Sequence, residues 1–451
     1  MPQMSSYRTL LTTLAGALLL LGAAFYNGYP IVYSDSSTYL SSIHTLQPPI
    51  DRPITYGLFV GILSLYRVSL WLVVIAQALL TSWLVVLLYR QVANGRAYHV
   101  AALLSLALLG LVTGASWSLS QIMPDIFTAI GFLIVANLLT SGLRKTIRRW
   151  LFGLFVVAVA VHASHIVLFF GLLIVLLLLR KKIFQPSEVS FFTRQLGWLL
   201  VFTLATIATM GSTLSKSRHV FFMGAMVEHG ITKAFLDEQC GTDGYALCPY
   251  KDQLPAKAWQ FVWNEDSPFY KLGGWKATKP EFNRIIWATL TQPRYQWLHV
   301  KASVMATADQ LAHFAMGDGN GVFLQGTSLN EDVANYYPSE YAWYSASRQN
   351  AAALHILPAW NAISAGAFVL SWLILCLLLY KNHRRLTPNA RLVVAVLLIG
   401  VLANAWTSGT FANALDRLGC KTAWLVTLLA LLVYFDTRPA NRITSERKEE
   451  V

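Results

Sequence analysis

Ten stretches of continuous apolar sequence constrain this chain more than any other feature: 8–26, 69–89, 98–116, 124–141, 150–163, 165–180, 196–212, 358–380, 391–407 and 421–435. Several are roughly 17–22 residues long, enough to cross a ~30 Å hydrocarbon layer as a helix. In lipid only helices and closed barrels satisfy their own backbone groups, and these runs are continuous rather than alternating, so helices are predicted. Composition agrees: 55% of the residues are hydrophobic and 13% charged, against about 25% charged in soluble domains. The expected fold class is an all-α integral membrane protein of about ten spans. The stretch from 150 to 180 would be too long for one crossing at ~1.5 Å per residue. His162 and His165 interrupt it, so two spans joined by a tight turn are predicted there.

Basic residues give the orientation. Arg90 and Arg96 follow the second span, Arg144, Lys145, Arg148 and Arg149 the fourth, Arg180, Lys181, Lys182 and Arg194 the sixth, and Lys381, Arg384, Arg385 and Arg391 the eighth. Arg438, Arg442, Arg447 and Lys448 fill a basic tail. Cytoplasmic loops collect lysine and arginine, so both ends are expected inside, in a membrane such as the bacterial inner membrane. The net charge of +13 then reports topology rather than affinity for nucleic acid. The first apolar run, preceded by Arg8, is longer than a usual secretory signal core and is expected to stay as an anchor. The chain divides into a membrane module at 1–212, a largely helical extracytoplasmic cap at 213–357, a second membrane module at 358–435 and a cytoplasmic tail at 436–451.

The cap carries Cys240 and Cys248. An oxidising compartment favours a bridge between them, and closing so short a loop would stabilise the fold by roughly 2–3 kcal/mol. Gly317-Asp318-Gly319-Asn320-Gly321 has the look of a calcium loop, but position 329 is Leu, where such a loop has its closing Glu, so a turn is expected.

Two polar knots lie between the first and second spans: Ser34-Asp35-Ser36-Ser37-Thr38-Tyr39, and Asp51-Arg52-Pro53-Ile54-Thr55-Tyr56-Gly57-Leu58-Phe59. A carboxylate beside a bilayer is costly and calls for either function or a partner. Ser34 or Asp35 could instead serve simply as the N-cap of a helix beginning at Ser36. Met123-Pro124-Asp125 puts a second acid at the outer start of the fourth span, where Pro and a carboxylate also suit a helix N-terminus. Leu415-Asp416-Arg417-Leu418 puts an arginine before the last span.

In order and sidedness these motifs resemble the GT-C superfamily of polytopic membrane glycosyltransferases. The first resembles the superfamily's acidic motif, with a lone Asp35 in place of an Asp-Glu pair. The second resembles an Arg-Pro-Pro-x-Tyr-x-Leu pattern, with Ile54 in place of the second Pro. The likeness covers about the first 180 residues; beyond that it is one of architecture. It implies a sugar moved from a polyprenyl-phosphate carrier to a glycan, lipid or protein acceptor on the outer face, with inversion.

The chemistry of the residues fits that expectation. Transfer to a hydroxyl needs a base for the acceptor proton, and Asp35 is the candidate. Asp125 is the candidate second acid, or a ligand helping a divalent cation hold the donor phosphate. Arg52 and Arg417 are candidates for the departing phosphate, because guanidinium forks match its oxygens; each could instead simply pair with its neighbour, Asp51 or Asp416. Asp51 and Tyr56 are accessory candidates. His162 and His165, three apart, share a helix face and could join Asp125 on a metal or donate to phosphate. Two readings of other classes stand beside this one. A transporter or flippase of a lipid-linked saccharide would show midplane polar groups or internal repeats. An O-antigen-type polymerase or ligase would rely on cap Arg or His rather than Asp35.

Overall fold

The structure, a computed structural model, describes residues 2–93, 98–140, 142–184, 188–241 and 244–437. Arg96 and the basic tail from 438 onward lie outside the described residues. Its principal helices are α1 (Pro2–Leu20), α2 (Ser34–Thr45), α3 (Thr55–Leu63), α4 (Trp71–Val92), α5 (Tyr98–Val112), α6 (Ile126–Leu139), α7 (Lys145–Ala160), α8 (Ala163–Ile183), α9 (Val189–Glu228), α10 (Lys279–Thr291), α11 (Pro293–Ala312), α12 (Ser328–Tyr336), α13 (Leu357–Asn382), α14 (Pro388–Phe411) and α15 (Asp416–Thr437). The remaining described segments are short helical turns and loops, with one isolated β-bridge between Ile31 and Gln121.

The described residues are all-helical, and among them six helices are long and apolar enough to cross a membrane: α4, α8, the 189–208 part of α9, α13, α14 and α15. The apolar parts of α1, α5 and α6 are shorter. The break predicted inside 150–180 falls at Val161 and His162, where α7 ends and α8 begins.

Burial separates helices that hydropathy alone treats alike. Every residue of α6 is buried, as expected for a helix apolar on all sides. It packs against α4, α7 and α14. By contrast, α13 presents Val369, Leu370, Leu373 and Leu377 outward. Among lipid chains there is little hydrophobic drive between such helices, so close packing and interhelical hydrogen bonds hold them. Asn404 of α14 supplies one such link, donating to Leu418 O at 2.8 Å and Thr422 Oγ1 at 3.1 Å. At the opposite end of the bundle, Thr387 donates through N and Oγ1 to Asp436, at 3.0 and 2.7 Å.

The segment expected as one cap divides in two, and its expected start at 213 falls inside α9. That helix runs 40 residues, ~60 Å at ~1.5 Å per residue, about twice the hydrocarbon thickness. Beyond it a second hydrophobic cluster gathers Val220, Met223, Phe235, Phe261, Phe282 and Tyr295. Cys240 and Cys248 are joined there, with Cα atoms 5.6 Å apart. The part from 313 to 350 behaves differently. It threads back onto the loop after α1 and closes over the first polar knot.

Candidate active site

The loop after α1 is fixed by backbone pairing. Ile31 N donates to Ser120 O at 2.8 Å, and Ile122 N donates to Ile31 O at 2.9 Å. This bridge lays the Asp35 knot beside the segment leading to Asp125. Gln349 clamps the same loop from the far end of the chain. Its side chain accepts from Val32 N at 3.1 Å and donates to Val32 O at 2.7 Å. Asn27 Oδ1 in turn accepts from Gln349 N at 2.8 Å. Glu340, buried and without a cation partner among the described residues, accepts from Tyr29 Oη at 2.9 Å, Leu70 N at 3.0 Å and Ser69 Oγ. Three donors offset the cost of burying its carboxylate.

Helix α2 begins at Ser34, not at Ser36. Its first turn is closed by Ser36, whose Oγ accepts from Tyr33 N at 2.9 Å and donates to Ile122 O at 2.9 Å. The capping role expected for Ser34 or Asp35 is therefore taken by Ser36, and the Asp35 carboxylate is free for other partners. Those partners are two guanidinium groups. Arg52 Nη1 lies 3.1 Å from Asp35 Oδ1, and Arg417 Nη1 lies 3.5 Å from Asp35 Oδ2. The Asp35 side chain keeps 30% of its exposure, against 13% for Arg52 and 16% for Arg417, so a partly open carboxylate meets two largely buried guanidinium groups.

Each arginine is held from a second side. Arg52 makes a two-nitrogen contact with Asp51 Oδ2, at 2.6 Å from Nη2 and 2.9 Å from Nε, and its guanidinium lies 5.5 Å from the Tyr39 ring centre. Arg417 lies 4.2 Å from the ring centre of Tyr33, within the range of a cation–π contact. Its own neighbour Asp416 is turned away and accepts from Ala315 N at 2.9 Å. The alternative pairing expected within Leu415–Leu418 is thus replaced by the Asp35 contact, whereas Arg52 has both Asp51 and Asp35.

Asp125 sits deeper. Its Oδ1 is 3.3 Å from Lys421 Nζ, and both side chains are nearly inaccessible. It stands at the N-terminus of α6 without a side-chain capping bond. A narrow crevice beside Asp125 is lined by Trp117, Gln121, Asp125, Asp318, Arg417 and Lys421. Asp318 closes its rim by accepting from Arg417 N at 3.1 Å. The adjoining Gly319 has a φ of +72° and lies against the Tyr33 ring. Both the left-handed backbone and the ring exclude a side chain there.

The accessory candidates separate. Tyr56 is fully buried and donates to Gln77 Oε1 at 2.9 Å, packing edge-on against Tyr39 at 4.9 Å. It supports the wall behind Arg52. His162 caps α8, its Nδ1 accepting from Ser164 N at 3.3 Å. His165 has Nε2 2.9 Å from Thr128 Oγ1 and Nδ1 2.6 Å from Ala158 O. With both nitrogens engaged, His165 is not placed as a metal ligand, which corrects that expectation. Among the described residues no three His, Cys, Asp or Glu side chains gather as a metal site.

Lys421, Asp318, Tyr33 and Gln349 were missed as site residues by sequence reasoning. Lys421 and Asp318 were visible as charges near a span and in a glycine-rich turn. Nothing local marked Gln349.

The chain matches no family model and no curated protein. What the fold defines is the coarser class: an all-helical protein with six helices of membrane-crossing length and apolarity. Its acidic and basic side chains are gathered where α2, α6 and α15 begin.

Proposed function

We propose that this protein is an integral-membrane glycosyltransferase of GT-C type. It moves a sugar from a polyprenyl-phosphate carrier to a glycan, lipid or protein acceptor on the extracytoplasmic face, in a bacterial inner membrane. The observation that carries the reading is the partly open Asp35 carboxylate with a guanidinium on each oxygen. A base and two phosphate-binding forks then lie within one substrate's reach.

On this reading the donor phosphate takes Arg52 and Arg417 from Asp35, exchanging one anion for another. The freed carboxylate accepts the proton of the acceptor hydroxyl. The acceptor oxygen bonds to the anomeric carbon, and the bond from that carbon to the phosphate oxygen breaks. The electron pair leaves with the polyprenyl phosphate, and the configuration inverts. Positive charge building on the sugar ring is offset by the nearby carboxylate. The Asp125–Lys421 pair holds the floor of the crevice and fixes α15, which carries Arg417. A divalent cation entering with the donor would find Asp125 and Asp318 as the nearest crevice acids.

The test is release of polyprenyl phosphate by purified protein offered a panel of polyprenyl-phosphate sugars with a mixed acceptor extract, with and without divalent cation. Turnover by the native chain and none by Asp35→Asn is the expected result. An Asp35→Asn protein as active as the native one would remove Asp35 as base. A folded native protein that releases no polyprenyl phosphate from any donor would overturn the transferase reading.

A further inference from the structure

Helix α11 has two faces that need covering, and the fold covers one. Inward, Tyr295, Ala306 and Gln310 are buried. Tyr295 Oη donates to Glu238 at 2.7 Å, and the Gln310 amide exchanges hydrogen bonds with the Leu415 backbone at 2.9 and 3.1 Å. Outward, Trp297, Val300, Val304 and Met305 are each more than half exposed. At ~3.6 residues per turn these four share the side opposite the buried face. Trp287, at the end of α10, is 70% exposed as well.

The depth of α11 can be followed along the spans it touches. Ser303 Oγ is 2.9 Å from Thr410 Oγ1, near the outer end of α14, and accepts from Trp406 Nε1 at 2.9 Å. Eleven residues after Ser303, just past the end of α11, the Phe314 ring packs 4.3 Å from that of Phe368, well inside α13. The chain therefore descends beside α14 for ~16 Å at ~1.5 Å per residue, about half of a ~30 Å hydrocarbon layer. The two candidate spans it touches also expose apolar side chains: Leu402 and Trp406 of α14, and Val369, Leu370 and Leu373 of α13.

We propose that α11 is a bilayer-docking helix, with its C-terminal half lying against lipid chains in the leaflet on the side of the active site. Val300, Val304 and Met305 meet the acyl chains. Trp287 and Trp297 sit at the headgroup level, where indole rings accumulate, and Lys301 extends its amine toward that level. The ionisable groups of the deeper turn, Asp309 and His313, face each other at 3.5 Å, the pairing that such depth demands. This inference is independent of sugar transfer and would hold for any activity of the site.

The test is a nitroxide at Val304→Cys in a Cys376→Ser background, in nanodiscs of phosphatidylcholine and phosphatidylglycerol. Relaxation is measured with oxygen and with an aqueous nickel chelate. Labels at Leu373 and Asp266 serve as lipid and water references, and Val300→Cys as a second position should Val304→Cys not fold. The expected oxygen-to-nickel ratio is several-fold above that at Asp266 and close to that at Leu373. A ratio matching Asp266 would place the stripe in water and overturn the proposal. Low accessibility to both reagents would overturn it in favour of a second copy of the chain seated on α11.

Discussion

Asp35 and Asp125 are both carboxylates at the start of a helix, both face a cation across about 3 Å, and they are built for different work. Asp35 is on an open rim between two arginines that have other holds, on Asp51 and on the Tyr33 ring. Asp125 is sealed, with Lys421 as its cation partner. A partly open carboxylate keeps some of its solvation while it exchanges partners, which lowers the cost of the exchange. A sealed one does not, because removing its partner strands a charge in a medium that does not solvate it. The same residue type therefore serves as a movable group in one place and a fixed one in the other.

The largest effect should come from splitting the sealed pair. Lys421→Met is expected to destabilise the protein by about 3–5 kcal/mol, read by thermal or denaturant unfolding in detergent. The double variant Asp125→Leu with Lys421→Met should recover most of that loss. A single variant as stable as the native chain would erase the distinction between the two acids. Asp35→Asn should change unfolding by less than about 1 kcal/mol, yet cut polyprenyl phosphate release ~100-fold or more. A stability loss as large as that of Lys421→Met would make Asp35 a structural acid too.

Gly419 tests whether the two centres can be moved separately. It lies between Arg417 and Lys421, with its Cα against the His313 carbonyl. Gly419→Ala must shift one backbone from the other, at about 1–3 kcal/mol. Because α15 carries both cations, release and stability should fall together; loss of one alone would show that the centres are mechanically independent.

The smallest effect concerns pH on the Asp35 side alone. His44, on α2, stacks on Tyr336 at 3.8 Å, and burial, helped by the nearby Arg67, lowers its pKa to about 4. The unfolded chain, with an ordinary histidine near 6.5, then binds more protons than the folded one between pH 6.5 and 4. Stability should decline as pH falls through that window. His44→Phe keeps the stacking and should flatten the decline in a melting-temperature series; an unchanged slope would assign the acid sensitivity to other groups.

The fold was legible wherever information is local. Apolar runs placed the helices, and His162 marked the break between α7 and α8. The polar knots contained Asp35, Arg52, Asp125 and Arg417, which the structure brings to one end of the bundle. Long-range partners were not legible. Lys421 looked like a charge at a span edge because nothing near it in sequence names Asp125, 296 positions away. Hydropathy falls near the 212 boundary, while the helical backbone of α9 continues through it to Glu228. The residues from 313 to 350 read as cap surface, since a segment that clamps a distant loop carries no periodic sign of it.

The Gln349 clamp also has a consequence in time. It closes on Val32 across 317 residues. At ~5–20 residues per second of synthesis, the loop bearing Asp35 waits roughly 15–60 s between its own emergence and that of the residue that locks it. Contacts this distant form late and leave earlier segments uncovered. During that interval the Tyr29–Tyr39 stretch has no Glu340 or Gln349 to satisfy it. The Ile31–Gln121 bridge, available after less than a third of that interval, restrains a site that cannot be completed until α15 has been made.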